Sequence, residues 1–358
     1  MTVVTICAPL SLDPTEAIAM AVRRAGGAAE VRYEPALLPP QRFPADHTGD
    51  PAWRRPTQAE QRWQKLLAET EVAFGIPGDS PDGLRALVAT AARLKWVQGT
   101  AAGTGEQLRR ADLPADVARL LTVTSAAGVH ARPLAEFAMF GLLAFAKDVD
   151  RLLEARDQAR WPPRWPMRQL ARSHVLVAGL GGIGRETARL CAAFGARVTG
   201  LRRRPSAGDM LDGPEIPGVE RVVGMDELDD VLRTCDAVVA ALPGTPETEG
   251  LFDGKRLAML PSHAVVVNVG RGSVVDAAAL VAALDAGRLR GAVLDVTDPE
   301  PLPSASPLWR RPNVIISPHT AALTVDEDDR IVQLFAENLE RWFAGGRLRN
   351  VVNAHVGY

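Results

Sequence analysis

The sequence predicts an α/β protein built on two parallel sheets, the second of them doubly wound. Short apolar runs alternate with helical patterns along most of the chain, which is the rhythm of strands joined by crossover helices. In the second half these runs are nearly continuous valine, alanine and isoleucine, as expected of strands covered on both faces. At 358 residues the chain is long for one domain, and two are expected.

The first strand and helix system has apolar runs at 3–7, 30–33, 72–76, 94–98 and 121–124, separated by helical patterns at 14–24, 58–69 and 82–91. Between 35 and 56 the chain turns to proline and polar residues, which reads as an irregular surface loop. Residues 133–151 read as one long helix with a broad apolar surface formed by Leu134, Phe137, Ala138, Phe140, Leu142, Leu143 and Phe145. It is too short for a bilayer, which leaves a domain-bridging or subunit-contact helix and a plain core helix both open. The second system has six strand candidates, at 174–178, 197–201, 236–242, 264–269, 291–296 and 313–317. After it, 324–343 reads as a closing helix ended by Gly345 and Gly346.

Composition narrows the class. The apolar share of 47% suffices for full cores, and a formal net charge of −2 argues against nucleic acid or an anionic membrane as partner. Cys7, Cys191 and Cys235 are scattered without CxxC spacing, so they read as buried reduced thiols of a cytoplasmic protein and not as a metal site. The first ten residues lack the basic region of a signal peptide, and no apolar stretch reaches the roughly 20 residues of a membrane span.

The most specific local pattern follows the strand at 174–178. Gly179, Gly181 and Gly184 have GxGxxG spacing, with Gly182 and Ile183 opening an amphipathic helix that ends at Gly195. In such a motif the first glycine makes the tight turn, the second lets the backbone approach a pyrophosphate, and the third lets helix pack on strand. The helix N-terminus faces the phosphates with free N–H groups and the positive end of its dipole. A dinucleotide site is expected here.

The end of the next strand suggests which dinucleotide. An NAD site offers an acid there for the ribose 2′-hydroxyl, and that acid would repel a 2′-phosphate. Here Gly200 and Leu201 lead into Arg202, Arg203, Arg204 and Pro205, with no acid until Asp209. NADP(H) is therefore expected to be preferred, with Arg202 and Arg203 on the 2′-phosphate, and NAD(H) stays possible.

Reaction chemistry is sought beyond the carboxyl ends of the strands, where open parallel sheets bind ligands. Arg271, Glu300 and His319 follow three successive strands. Hydride addition to a ketone leaves negative charge on oxygen, so a proton donor titrating near neutrality is needed, and His319 has the right chemistry. Glu300 could fix the histidine tautomer and stabilise the imidazolium. Arg271 could hold a carboxylate and polarise the neighbouring carbonyl. Together they predict a small 2-oxo acid or its 2-hydroxy counterpart as substrate.

Linked segments over nearly the whole chain resemble the D-isomer-specific 2-hydroxyacid dehydrogenases, in particular those like glyoxylate/hydroxypyruvate reductases. They are VAGLGGIGRETARL at 177–190, ALPGTPETEGLFD at 241–253, VVNVGRGSVVD at 266–276, AVLDVTDPEPLPSASPLW at 292–309 and SPHTAALT at 317–324. The resemblance implies that Arg271 binds substrate, that Glu300 orients the histidine and that His319 is the acid/base. It implies that Asp295 contacts the nicotinamide carboxamide and that Leu242 and Pro243 lie beside the adenosine. Thr248 and Val269, in the same segments, are counted with the cofactor-binding residues. The segment WVQGTAAGT at 96–104 looks like the loop whose N–H groups bind the substrate carboxylate, through Ala102 and Gly103, although Thr104 departs from the acid often found there. Phe137 stands where many members carry a histidine.

The resemblance also implies an architecture: a Rossmann cofactor domain at 122–321 inserted into a smaller flavodoxin-like substrate domain at 1–121 and 322–358. It further implies a homodimer and closure over substrate. Two readings from other classes stand beside it. One is a nucleotide-sensing, corepressor-like binding protein on the same fold; the other is a dehydrogenase of another small anion such as phosphite. Formate is disfavoured by Glu300, since a neutral partner would be expected, and a flavoprotein is disfavoured by the complete motif set.

Overall fold

The computed structural model describes residues 1–203 and 216–352, so Arg204, Pro205 and Asp209 lie outside the described residues. Two compact units form, one from Met1–His130 with Leu323–Tyr358 and the other from Ala131–Ala322.

The first unit holds strands β1 (Thr2–Ile6), β2 (Ala29–Arg32), β3 (Val72–Phe74), β4 (Trp96–Gln98) and β5 (Thr122–Thr124). Its helices, before the chain leaves it, are α1 (Thr15–Arg24), α2 (Thr57–Ala68), α3 (Pro81–Thr90), α4 (Thr104–Ala111) and α5 (Ala115–Leu120). The sheet is parallel with order β2-β1-β3-β4-β5, the flavodoxin-like arrangement. The expected boundary at 121 is displaced. Thr122–Thr124 pairs with β4, so the edge strand keeps the chain in this unit as far as His130. Returning from the second unit, helix Glu327–Phe343 packs its apolar stripe on the same sheet. Phe335 stacks on Phe74 with ring centroids 4.4 Å apart and lies 5.2 Å from the Trp96 ring.

Residues 35–56 are not a loose surface loop. Leu37, Leu38 and Ala45 are buried, and so are Asp46 and His47. His47 donates from Nε2 to Asp328 Oδ1 at 2.7 Å, while Ser11 gives Asp328 Oδ2 both its N–H and its hydroxyl, each at 2.7 Å. Burial pushes the Asp328 carboxyl up, and the bonds from His47 and Ser11 more than reverse this, holding it at about 2. Polar composition misled here because the buried polar groups are satisfied, Asp46 locally by Arg42 and the Gly49 N–H, and His47 by Asp328 far away in sequence.

The second unit holds β6 (His174–Ala178), β7 (Arg197–Leu201), β8 (Arg221–Val223), β9 (Ala237–Ala240), β10 (Val265–Asn268), β11 (Gly291–Leu294) and β12 (Val314–Ile316). Its helices are α6 (Ala131–Ala146), α7 (Val149–Asp157), α8 (Gly182–Ala193), α9 (Leu228–Leu232), α10 (Gly254–Leu257) and α11 (Ala277–Asp285). The sheet is parallel and seven-stranded, in the order β12-β11-β10-β9-β6-β7-β8. The added strand, β8, is three residues long, too short to stand out as a periodic run. The helix Glu327–Phe343 is α12.

The long helical pattern at 133–151 divides into α6 and α7. Asp148 sits between them at φ 49° and ψ 49°, a left-handed conformation that Asp tolerates better than most residues. Its carboxylate accepts from Arg290 Nη2 at 3.0 Å and from Trp165 Nε1 at 2.8 Å, and these contacts hold the break. Helix α6 is a core layer of this unit. Leu134, Ala138, Leu142 and Phe145 pack with Val175, Val239, Val267 and Val293, and a Cβ on Gly141 would lie 2.6 Å from a Val293 methyl. Phe137 is half-buried on the same cluster, its ring 6.0 Å from that of Phe140.

All three cysteines are buried, and burial pushes each thiol up to about 12. Among the described residues no helix is long and apolar enough to cross a membrane, and no group of three His, Cys, Asp or Glu is placed to hold a metal ion.

Asp328→Asn is expected to lower the unfolding free energy by about 1–3 kcal/mol at neutral pH, the cost of a buried hydrogen-bond set left incomplete. A carboxyl held at about 2 against an ordinary 3.8 stabilises the fold above its unfolded value and loses that contribution as pH falls through the folded value. The gap between parent and variant should therefore narrow from about pH 4 down to about pH 2. Urea midpoints across that range check both statements.

Candidate active site

The second sheet has the classical dinucleotide-binding strand order with one strand added at the β12 edge. The chain leaves β6 toward β7 on one side and later returns to its other side as β9, so the topological switch lies beside β6. The glycine loop fills that position. Gly179 has φ +96°, and a Cβ there would lie 2.7 Å from the Ala241 carbonyl oxygen. Gly184 is packed harder still, since its Cβ would lie 1.8 Å from the Gly179 carbonyl oxygen. Gly181 differs, with nothing within 4 Å of the position of a Cβ. That open face, next to the exposed start of α8 at Gly182 and the half-buried Ile183, is where a phosphate group fits.

From this loop a continuous rim can be followed across neighbouring strand ends. A Cβ on Gly270 would lie 2.5 Å from the Leu242 carbonyl oxygen, so the exit of β10 lies against the exit of β9. A Cβ on Gly272 would lie 1.9 Å from the Thr297 carbonyl oxygen, so the loop carrying Arg271 lies against the exit of β11. Thr297 donates its N–H to Glu300 Oε1 at 3.0 Å. Glu300 Oε2 in turn accepts from His319 Nδ1 at 2.9 Å, in the loop after β12. The structure thus brings Arg271, Glu300 and His319 to one rim, the first through backbone contacts that only glycine permits and the other two through hydrogen bonds to the Glu300 carboxylate.

His319 has φ +55°, a left-handed conformation uncommon for a residue with a Cβ. Its own N–H donates to the Asp295 carbonyl at 2.9 Å, and Glu300 fixes its ring from Nδ1. Among the described residues no hydrogen bond engages Nε2, so that edge can exchange a proton with a ligand. The side chain is 48% exposed, as a group that must reach a ligand requires. Asp295, by contrast, is buried; its Oδ1 accepts from the Ser317 hydroxyl at 2.7 Å and from the Ala321 N–H at 3.0 Å. Oδ2 has no bond among the described residues.

The remaining predicted residues fall as follows. Leu242 and Pro243 form the exit of β9, with Leu242 half-buried and Pro243 exposed. Thr248 uses its hydroxyl on the Pro243 carbonyl at 2.6 Å and accepts the Thr245 N–H at 2.9 Å, so it ties that turn together. Val269 is buried, its N–H bonded to Ala240. Arg202 continues the β7 ladder by donating its backbone N–H to Val223 at 3.0 Å, and Arg203 is exposed beyond it. The Glu247 carboxyl, on the turn after β9, is held low chiefly by the Thr245 hydroxyl, with a smaller contribution from Arg203.

Ala102 and Gly103 belong to the first unit and precede α4. Thr104 is fully buried; its hydroxyl donates to Ala101 O at 2.7 Å, and a Cβ on Gly99 would lie 2.1 Å from it. The Thr104 side chain is thus committed to the turn that precedes α4. Two polar positions escaped the sequence reading. Ser317 and Asn268 are buried in runs that otherwise read as apolar strand, and a lone polar residue at the end of such a run is the signal that could have found them.

The glycines can be tested separately. Gly181→Ala should leave the melting temperature unchanged while weakening dinucleotide binding about tenfold or more, since its Cβ meets only the space a pyrophosphate would take. Gly184→Ala should instead destabilise the fold by about 1–3 kcal/mol, because its Cβ overpacks against backbone. Thermal melts and fluorescence titration with reduced nicotinamide dinucleotides distinguish the two.

Residues 139–321 match the model of the NAD-binding domain of D-isomer-specific 2-hydroxyacid dehydrogenases. A glyoxylate/hydroxypyruvate reductase A of Salmonella paratyphi B is 36% identical over 189 residues, which is 53% of this chain and 58% of that protein. The match thus spans little more than half the length of this curated relative. Among solved structures, a D-isomer-specific 2-hydroxyacid dehydrogenase of Xanthobacter autotrophicus in complex with NADPH and MES aligns over 100% of this chain and 99% of that one, at 31% identity and a TM-score of 0.72. An NADPH-dependent glyoxylate/hydroxypyruvate reductase of Sinorhizobium meliloti, in complex with NADP and sulfate, aligns over the whole of both chains at 25% identity, with a TM-score of 0.72. With the model matching over half its length and full-length structural likeness at this identity, the chain belongs to the D-isomer-specific 2-hydroxyacid dehydrogenase family.

Proposed function

We propose that this protein is an NADP(H)-preferring reductase of a small 2-oxo acid. The observation that carries the reading is the bond of 2.9 Å between His319 Nδ1 and Glu300 on the rim shared with Arg271. When bound, the dinucleotide supplies the hydride that reduces the carbonyl carbon. The residues of the chain do the rest. Arg271 holds the carboxylate through its guanidinium fork and draws charge toward the adjacent carbonyl oxygen. His319, protonated, donates from Nε2 to that oxygen as negative charge develops on it. Glu300 keeps Nδ1 protonated and offsets the imidazolium charge before transfer. In the first unit, the turn at Ala102 and Gly103 is assigned to carboxylate binding by its N–H groups.

For the cofactor, Gly179, Gly181, Gly182, Ile183 and Gly184 are assigned to the pyrophosphate, and Leu242, Pro243, Thr248 and Val269 to the adenosine side and the rim. Asp295 is assigned to the carboxamide through Oδ2. The open space at Gly181 supports this fit. Preference for the 2′-phosphate rests on Arg202 and Arg203 at the end of β7 and is supported by relatives solved with NADPH and NADP. Glyoxylate and hydroxypyruvate are the substrates we favour, in line with relatives that are reductases of both. We propose a cytoplasmic homodimer as the working form, on the three buried thiols and on family likeness.

Steady-state kinetics should give a higher kcat/KM with NADPH than with NADH; the reverse order would refute the assignment of the two arginines. His319→Ala should lower kcat by about 10²- to 10⁴-fold with little change in NADPH affinity. Full turnover of glyoxylate and hydroxypyruvate by that variant would remove the acid/base role.

A further inference from the structure

Asn268 closes β10, after Val265, Val266 and Val267, in the middle of the second sheet. It is fully buried, at a place where a fourth apolar residue would be expected. A buried carboxamide costs stability unless its groups are bonded, so the direction of its bonds shows what it is for. Both point forward along the chain. Nδ2 donates to the backbone carbonyl of Arg271 at 2.9 Å, and Oδ1 accepts the N–H of Gly270 at 3.1 Å.

These two bonds complete a three-sided clamp on one loop. On one side Gly270 lies against the Leu242 carbonyl, and on the other Gly272 lies against the Thr297 carbonyl. Below, the amide of Asn268 ties both to the strand end. The Arg271 carbonyl also accepts the Val274 N–H at 3.1 Å, so its peptide plane is fixed from two directions. An arginine stem is long and flexible, and the position of its guanidinium depends on where its backbone leaves the sheet. Arg271 itself spends one guanidinium bond on the Gly270 carbonyl at 2.8 Å, inside the same clamp.

We propose that Asn268 is a positioning residue for the substrate carboxylate: its amide locks the 270–272 loop so that the Arg271 guanidinium is presented already oriented. The inference rests on Arg271 being the carboxylate-binding group. Asn268 touches no ligand and acts only through the Arg271 backbone. Loss of the clamp therefore weakens anion binding and turnover while leaving dinucleotide binding in place.

The test uses oxamate, a non-reducible 2-oxo acid analogue, titrated against the NADPH complex, with glyoxylate turnover alongside. Asn268→Ala is expected to retain NADPH affinity within a factor of about two. It should lower oxamate affinity about tenfold or more and kcat/KM by up to about 10²-fold, the scale of a misplaced positioning group. Asn268→Ser keeps a hydroxyl that can accept from the Gly270 N–H but is too short to replace the amide donor, so it preserves the turn and should show the same loss. In an Arg271→Ala background, either substitution should add nothing further.

Losses that multiply in that background, or that extend to NADPH, would show a merely structural role and overturn the proposal. Normal oxamate affinity in the Asn268 variants, with Arg271→Ala impaired, would overturn the proposal and leave the role of Arg271 standing. Normal oxamate affinity in Arg271→Ala would overturn both.

Discussion

The chemistry of the second unit depends on strand exits that approach one another more closely than side chains allow. Neighbouring strands of a sheet are about 4.8 Å apart, and loops leaving them normally diverge. Here they do not. Gly179 meets the Ala241 carbonyl, Gly270 meets that of Leu242 and Gly272 meets that of Thr297, each at a distance that would be a clash for any Cβ. Four adjacent strands, β6, β9, β10 and β11, are joined at their carboxyl ends into a single rim. That rim spaces the assigned groups from the glycine loop to Arg271 and Glu300, and His319 is joined to it through Glu300. The same close packing leaves one glycine, Gly181, facing open space.

On this frame, polar groups are divided by depth. Asn268, Asp295 and Ser317 are buried and bond to backbone or to one another, which makes them rigid. Arg271, Glu300 and His319 stand exposed above them. Buried polar groups that are satisfied hold the loops, and exposed ones keep the freedom to meet a ligand. The left-handed backbone of His319 joins the two levels, since its N–H is held by the buried Asp295 while its ring is turned toward Glu300.

Much of this was legible in the residues themselves. Glycine spacing at 179–184 located the tight loop between β6 and α8, and the hydrophobic runs located all but one strand of the second sheet. Arg271, Glu300 and His319 could be found because they follow successive strands, and parallel sheets deliver such positions to one edge. Most of what was missed depends on residues outside the segment concerned. The break at Asp148 depends on Arg290 and Trp165, the burial of His47 depends on Asp328, and the fit of Thr104 depends on Gly99. The partner of Asp148 in Arg290, like that of His47 in Asp328, lies more than a hundred positions away. Strand β8, at three residues, offered no period to detect.

By itself the sequence determined the class of the fold and the family, and it singled out the glycine loop and the polar residues at strand ends to which roles are assigned here. These follow from local chemistry: turn glycines, unbroken β-branched runs and residue types at strand ends. Only the tertiary structure decided that Glu300 faces Nδ1 of His319, that Asn268 grips the arginine loop and that residues 35–56 are anchored by Asp328. A hydrogen bond or a forbidden Cβ is set by where separate segments meet in space. Loops that pack on neighbouring strands acquire that information only when the sheet forms.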